Sequence, residues 1–238
     1  MDLTNIAEMN VIETRGDELF VGAAAPLSRV ATSSFVLQNA QALVEACNLI
    51  AGPQVRNVAT LGGNVAHALP AADGTIALLA LDARAEIADF QDRQRVPLGN
   101  LFLGPGKTAL QAGQLLVGFY ISLRSLHHGS AFARIMHSQG IALPILNMAL
   151  WLEREEENIK DIRIAVGPGG PLPFRSTAAE EVLRGMRFNE ATITHALETQ
   201  LAQVQFRTSP LRASADYRRH LVGGLFTETL TTAWERAV

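Results

Sequence analysis

Two segments in the second half of the chain show the short hydrophobic period that is typical of strands. They cover residues 145–153 and 159–166, and the acidic run EREEE (residues 153–157) lies between them. Because an acidic run between two strands is typical of a solvated turn, the pattern predicts a β-hairpin with this run at its tip. Three further strands are predicted earlier in the chain, over residues 19–23, 85–90 and 115–123.

Apolar residues at helical spacing predict a helix from about residue 35 to residue 49, with Ser33 or Ser34 as its N-cap. Cys47 falls on the apolar face of this helix and is expected in the core. Three more helices are predicted after the hairpin. They begin at Ser176–Thr177, where Thr177 and Glu180 match a capping box and Gly185 suits the helix end, at Asn189, and at Ser214.

The order of these elements predicts an α+β protein in two lobes. Strands and helices are mixed in the first half, whereas a hairpin followed by helices makes up the second. The polar segment RSLHHGS (residues 124–130) separates the two patterns and is the candidate boundary. The predicted lobes are residues 1–124 and residues 128–238, and the histidines of the segment between the patterns, His127 and His128, are expected to be exposed.

Composition and charge narrow the function classes. The 238 residues carry a formal net charge of −3 and no cluster of lysine and arginine, which argues against nucleic-acid binding because phosphate contacts need a basic surface. No apolar run approaches the roughly 20 residues that a membrane span requires, and the first residues lack a signal-peptide pattern. The single cysteine cannot form an internal disulfide or hold an iron–sulfur cluster by itself. We therefore expect a cytoplasmic protein without a membrane partner.

The segment RNVATLGGNVAHALPAAD, from Arg56 to Asp73, carries the candidate chemistry. Gly62 and Gly63 allow positive φ and close approach of backbone amides to a ligand, as in a phosphate-binding nest. Thr60 and Asn64 add polar groups at its edges, and Asp73 could accept hydrogen bonds from sugar or ribityl hydroxyls. A tight structural turn is the competing interpretation. The spacing matches neither a Rossmann fingerprint nor a P-loop.

Four ordered motifs resemble one family over nearly the whole chain. The first is AGPQVRNVATLGGNVAHALPAADGTIALLALDA, and LFLGPGKTAL, AVGPGGPLPFRSTAAEEVLRG and RASADYRRHL follow it. Together they are similar to the FAD subunits of the molybdenum hydroxylases, of the xanthine dehydrogenase and aerobic carbon monoxide dehydrogenase type. The resemblance implies a type-2 (PCMH-like) FAD-binding lobe followed by a lobe like the C-terminal domain of the CO dehydrogenase flavoprotein, with antiparallel strands and helices.

The resemblance also implies which residues contact FAD. The T-[IL]-G-G-N turn of the family matches this chain, Asp73 matches the acidic residue that binds flavin hydroxyls, and Arg134 matches a basic residue near the ring that is often lysine. Ile50 and Leu116 match apolar positions near the ring. The residues placed on the turn are Ala59, Thr60, Leu61, Gly62, Gly63 and Asn64. No catalytic residue and no metal ligand are assigned.

The family resemblance implies a function in electron transfer. A molybdenum-cofactor large subunit would oxidise the substrate, 2Fe-2S clusters on a small subunit would relay electrons, and FAD on this chain would pass them to NAD or another acceptor. The single cysteine agrees with clusters held on another chain. Two alternatives stay open: a flavin-free structural or interaction subunit of the same kind of complex, and an enzyme that binds another nucleotide through the glycine turn.

This sequence departs from the family pattern at its start. Relatives carry an earlier βαβ lobe that ends in an A-G-G-[TS] loop, and the sequence here begins with the residues that follow such a loop. From this departure we expect half of the cradle to be absent and FAD affinity to be reduced. Exposed apolar surface is expected near residues 19–25, where a strand would lose its neighbour.

Overall fold

The computed structural model describes residues 2–123, 127–137 and 143–238. Its first lobe contains an antiparallel sheet in the order β1-β2-β7-β3-β4 and the short hairpin β5-β6. The strands are β1 (Ile12–Arg15), β2 (Glu18–Gly22), β3 (Arg84–Ala88), β4 (Arg93–Pro97), β5 (Phe102–Gly104), β6 (Lys107–Thr108) and β7 (Leu115–Ser122). The helices are α1 (Ala7–Asn10), α2 (Leu27–Thr32), α3 (Ser34–Asn39), α4 (Gln41–Leu49), α5 (Pro53–Arg56), α6 (Leu61–Ala66) and α7 (Asp73–Ala80), and a 3-10 helix covers Leu98–Leu101.

The second lobe is a four-stranded antiparallel sheet in the order β11-β10-β9-β8, covered by helices. Its strands are β8 (His128–Met136), β9 (Pro144–Glu155), β10 (Asn158–Gly167) and β11 (Phe174–Arg175). Its helices are α8 (Thr177–Leu183), α9 (Glu190–Gln203) and α10 (Ala215–Arg236). The α+β class is confirmed, and β9 and β10 form the predicted hairpin with Glu156 at its tip.

Strand β9 is buried on both faces, and this double burial joins the lobes. Ala149 and Trp151 belong to the core of the first lobe, whereas Met148 and Leu150 belong to the core formed with α8, α9 and α10. A strand covered on both sides can be apolar at successive positions. This explains the nearly unbroken apolar run PILNMALWL in the sequence.

Two expectations about elements are wrong. The helix expected over 35–49 is two helices, because the backbone of Ala40 leaves the helical region (φ −148°, ψ 56°). Strand β8 begins at His128, which is half-buried and stacks on Trp151 at 6.1 Å between ring centroids, so this histidine is not an exposed linker residue. The boundary proposed over 124–130 lies partly outside the described residues.

The capping box expected at α8 is also wrong. Ser176, rather than Thr177, is the N-cap, and its side chain makes no capping bond. The Glu180 carboxylate binds Arg175 at 2.6 Å and accepts a hydrogen bond from the backbone N–H of Ile164 at 2.8 Å. The Glu180 carboxylate therefore binds residues of β10 and β11, and it does not cap α8 as the local spacing predicted. Asn189 and Ser214 are confirmed as N-caps of α9 and α10.

The apolar surface expected near residues 19–25 is not exposed. Leu19, Phe20 and Val21 are completely buried. They lie on β2, which pairs with β1 on one side and with β7 on the other. The β1 strand, which the hydrophobic pattern did not predict, therefore supplies the neighbour that this expectation lacked.

Candidate functional site

The glycine turn is the start of a helix. Thr60 is the N-cap of α6, and its Oγ1 accepts a hydrogen bond from the N–H of Gly63 at 3.0 Å. Gly62 and Gly63 lie in the first helical turn, and neither has a positive φ. The positive φ that glycine allows is therefore not used at either position.

The amides of this turn are already paired within the chain. The Gly62 N–H donates to the carbonyl of Ala23 at 2.8 Å, and the Leu61 N–H donates to the carbonyl of Ala25 at 3.3 Å. The Asn64 N–H donates back to the Thr60 carbonyl at 3.1 Å. A phosphate nest needs free donors. Here the start of α6 is instead close-packed against the chain after β2, and its bare face is the exposed face at Gly63.

The structure explains glycine at positions 62 and 63 in different ways. A Cβ on Gly62 would lie 2.6 Å from the carbonyl oxygen of Ala23, so Gly62 lets α6 pack directly on the chain after β2. A Cβ on Gly63 would meet only the Oγ1 of Thr60, at 3.2 Å. Gly63 is exposed and borders a cleft. Only Gly63 therefore leaves space that a ligand could use.

That cleft has a volume of about 360 Å³ and lies between α6, β7 and the first residues described. Its walls are mainly apolar, with Thr60, Thr4 and Gln114 as polar groups. Predicted residues that meet here are Thr60, Gly62, Gly63 and Leu116. The other lining residues are Leu3, Met9, Ala23, Ala24, Ala66, Leu110 and Leu115. Apolar walls with a few polar groups suit a flat aromatic ring system.

Asp73 and Arg134 meet in a second, buried place between the lobes. The Arg134 guanidinium donates to the Asp73 carboxylate at 2.6 Å, and both side chains are 5% exposed. Asn147, on β9, donates to the other carboxylate oxygen at 2.6 Å and to the carbonyl of Ala71 at 3.1 Å. Burial raises the pKa of the Asp73 carboxyl above its ordinary value, although Arg134 and Asn147 both favour its charged form.

This buried cluster retains polar atoms without a partner. Thr75 Oγ1, Arg134 Nε and Asn147 Oδ1 are buried and make no hydrogen bond to the described residues. Buried polar atoms are normally paired, so such a group of orphaned atoms indicates a place where a polar ligand or water binds.

Asn64 connects the two places. Its Oδ1 accepts a hydrogen bond from the N–H of Thr75 at 3.2 Å, in the first turn of α7. A Cβ on Gly74 would lie 2.8 Å from this oxygen, so α6 and α7 approach closely at Asn64. The cleft and the Asp73 cluster are thus held by adjoining helices.

Three predicted residues lie away from the cleft wall. The carbonyl of Ile50 accepts a hydrogen bond from Arg56 at 3.0 Å, and the carbonyl of Ala59 accepts one from Leu27 at 2.9 Å. Leu61 is completely buried. Their flavin contacts stay predictions. Asn147 was not predicted at all, and the signal for it was a lone amide inside an apolar strand.

Comparisons with known proteins agree with this architecture. Residues 1–122 match the family model of the FAD binding domain in molybdopterin dehydrogenase, and residues 131–233 match that of the CO dehydrogenase flavoprotein C-terminal domain. The xanthine dehydrogenase FAD-binding subunit of Escherichia coli O157:H7 is 30% identical over 98% of this chain and 80% of its own length. The nicotine 6-hydroxylase medium subunit of Paenarthrobacter nicotinovorans is 31% identical over 99% of this chain and 82% of its own.

A solved structure has the same fold. Carbon monoxide dehydrogenase from Hydrogenophaga pseudoflava superimposes with a TM-score of 0.92 at 27% identity, over 98% of this chain and 80% of that one. The fold and the matches define a flavoprotein. The chain belongs to the FAD-binding subunits of the molybdenum hydroxylase family, and it is an oxidoreductase subunit whose cofactor is FAD. No helix in the described part of the chain is both long and apolar enough to span a membrane.

Proposed function

We propose that this subunit carries electrons from iron–sulfur clusters of a partner subunit, through FAD, to NAD or another acceptor. When bound, FAD supplies a redox centre that exchanges electrons with both one-electron and two-electron partners. The residues of this chain would bind that centre, orient it and set its electrostatic environment. The cleft beside Gly63 is the observation that carries the proposal, because it joins the predicted turn to the predicted apolar residue Leu116.

Within this proposal, the predicted residues divide into two tasks. Thr60, Gly62, Gly63 and Leu116 line the cleft on which the cofactor would pack. Contacts of the cofactor with Ile50, Ala59, Leu61 and Asn64, which are not on the cleft wall, are proposed from the family resemblance alone. Asp73 and Arg134 supply charged groups at the lobe interface. Because Asp73 is 4% exposed and holds Arg134 and Asn147, a hydroxyl of the cofactor would share this carboxylate with them.

The partners follow from the family. We infer a large subunit with the molybdenum cofactor and a small subunit with 2Fe-2S clusters, since relatives bear the names medium subunit and medium chain. The lone cysteine, Cys47, is completely buried, and burial raises the pKa of its thiol to about 12. A cluster needs several accessible thiolates. The clusters therefore belong on another chain in this proposal, and the reducing cytoplasm is the proposed compartment.

We also propose that residues 1–124 and 128–238 form the two structural units of this subunit. Separate hydrophobic cores support the division, one around the first sheet and one between the second sheet and α8–α10. The first unit would bind most of the cofactor. The second would close its buried edge through Arg134 on β8 and Asn147 on β9.

Anaerobic mixing of the FAD-loaded protein with NADH tests the electron path. Rapid loss of flavin absorbance would mean that NADH reduces the bound FAD. Because this is the reverse of the proposed reaction, it would support NAD as the electron acceptor. A flavin that stays oxidised with NADH but is reduced by dithionite would exclude NAD and leave a different acceptor. Flavin content itself is the separate test of the binding site, and Gly63→Val is the informative variant because its side chain would enter the cleft.

Gly224→Val is the matched control for Gly63→Val. Gly224 also lies in a helix without positive φ, and a Cβ there meets nothing within 4 Å. We expect Gly63→Val to lose flavin and Gly224→Val to retain it. Equal flavin content in the two variants would contradict the assignment of the cleft.

A further inference from the structure

A second cleft, lined by three arginines, borders the chain segment between α6 and α7. It has a volume of about 230 Å³, and its walls come from both lobes. Leu69, Pro70 and Ala71 belong to the chain between α6 and α7, and Pro168 follows β10. Three arginines, Arg207, Arg212 and Arg218, also line the cleft. This cleft shares no lining residue with the one beside Gly63.

The innermost arginine is fixed in place. Arg218 lies in the first turn of α10 and is 1% exposed. Its Nε donates to the carbonyl of Ile145 at 2.9 Å, and another of its nitrogens donates to the carbonyl of Arg207. These bonds fix the plane of the guanidinium before any ligand arrives. A fixed plane lowers the entropy cost of recognition.

The second arginine sits on a closed turn. The Ser209 N–H donates to the carbonyl of Ala213 at 2.9 Å, and the Ala213 N–H donates back to the carbonyl of Ser209 at 3.1 Å. The Arg212 N–H also donates to Ser209, and the carbonyl of Arg212 lies 2.9 Å from His137 Nε2. The backbone of Arg212 is therefore held from both sides, and Pro70, Pro105 and Pro168 line the same cleft.

The positive charge of this cleft is not neutralised within the described part of the chain. None of the three guanidinium groups forms an ion pair with a described carboxylate. Burial, and then repulsion from Arg212 and Arg207, lower the pKa of Arg218. Other arginines of this chain do have partners, such as Arg175 with Glu180. Like charges gathered in a partly dry cleft are unfavourable unless an anion binds among them.

We propose that the arginine cleft binds a phosphate-sized oxyanion, either inorganic phosphate or a phosphate group of a nucleotide. Guanidinium groups match tetrahedral oxyanions through paired, charge-assisted hydrogen bonds, and the Ser209 hydroxyl adds a neutral donor. The proposal does not rest on the electron path described above, because its observations concern a cleft that is separate from the one beside Gly63.

Isothermal titration calorimetry tests the site. The FAD-loaded protein is titrated at low salt with inorganic phosphate in one experiment and with ADP in the other. We expect saturable one-site binding that weakens as salt is added, because the attraction is largely between charges. Arg212→Gln should weaken binding by about tenfold or more, as expected for loss of a hydrogen bond to a charged group. Binding of both ligands would indicate that phosphate suffices, and binding of ADP alone would identify a nucleotide as the source.

Arg219→Gln is the matched control. Arg219 is exposed next to Arg218, and its guanidinium donates to the carbonyl of Leu201, outside the cleft. It should leave binding unchanged. No binding of either ligand, or equal weakening by Arg212→Gln and Arg219→Gln, would overturn the proposal. Arg207→Gln removes an exposed side chain and provides a second cleft variant if Arg212→Gln proves unstable; it too should weaken binding more than the control.

Discussion

At the scale of single residues, the adjacent glycines Gly62 and Gly63 have different surroundings, so glycine is explained differently at the two positions. Gly62 is required by packing, because the carbonyl of Ala23 lies 2.6 Å from the position of its missing Cβ. Gly63 is not crowded in this way and faces the cleft. Glycine is thus required by packing at position 62, whereas at position 63 we propose that it leaves room for the cofactor.

Alanine at these two positions should separate stability from binding. Gly62→Ala should lower the free energy of unfolding by about 1–3 kcal/mol, because the methyl group overpacks against backbone. Gly63→Ala should change it by about 1 kcal/mol or less, since alanine favours the helix. Urea unfolding of the FAD-free protein measures both. A larger loss at Gly63 than at Gly62 would contradict this division.

At the scale of elements, the helix starts differ in how they are capped. Ser214 Oγ accepts a hydrogen bond from the N–H of Tyr217 at 3.1 Å at the start of α10. Ser176, at the start of α8, makes no such bond, and its hydroxyl is buried without a described partner. The two serines occupy the same position relative to their helices but contribute differently to stability.

The matched substitutions Ser214→Ala and Ser176→Ala test this difference. Ser214→Ala should cost about 1 kcal/mol, the usual loss for an N-cap. Ser176→Ala should be neutral or slightly stabilising, because it removes a buried hydroxyl that gains nothing from the fold. Thermal and urea unfolding of both variants provide the comparison. Equal losses would show that Ser176 caps α8 in solution.

Elements with strong local signals were predictable from the sequence, and elements defined by distant contacts were not. The β9–β10 hairpin and the caps Asn189 and Ser214 follow from short-range pattern, and all three are confirmed. Strand β1 and the break at Ala40 were missed because tertiary pairing and packing decide them. Glu180 was misassigned for the same reason: its partners come from neighbouring strands.

The candidate site shows the same limit. Residue types were enough to select the turn, and the family resemblance selected Leu116; the structure places Thr60, Gly62, Gly63 and Leu116 on one cleft. Residue types and resemblance could not show that the turn amides are already paired, because the acceptors, Ala23 and Ala25, lie in a distant part of the sequence. Nor could they reveal Asn147, whose partner Asp73 is 74 residues away.

At the scale of the whole molecule, buried and half-buried ion pairs join the lobes. Asp73 pairs with Arg134 at 2.6 Å, and Glu45 pairs with Arg236 at 2.6 Å, each across the interface. The first pair is 5% exposed on both sides. Losing one partner of a buried pair is costly because it leaves the other charge without compensation. The lobes should therefore respond together when the Asp73 pair is broken.

Asp73→Ala and Arg134→Ala should each lower the free energy of unfolding by about 3–5 kcal/mol. The double variant should lose clearly less than the sum of the two, since no unpaired charge remains. Glu157→Ala breaks the exposed pair with Arg187 and should cost about 1 kcal/mol or less. Urea unfolding of the FAD-free proteins measures these losses. Additive losses at Asp73 and Arg134 would show that the pair does not couple the lobes.

The most direct test of the account is the flavin content of this chain. The purified protein is mixed with FAD and desalted, and its visible absorbance is recorded beside that of Gly63→Val. We predict a retained flavin spectrum for the unaltered chain and little or none for the variant, because a valine side chain would fill the bare face of α6. A folded but colourless protein, or a variant with undiminished flavin, would contradict the placement of FAD at this cleft.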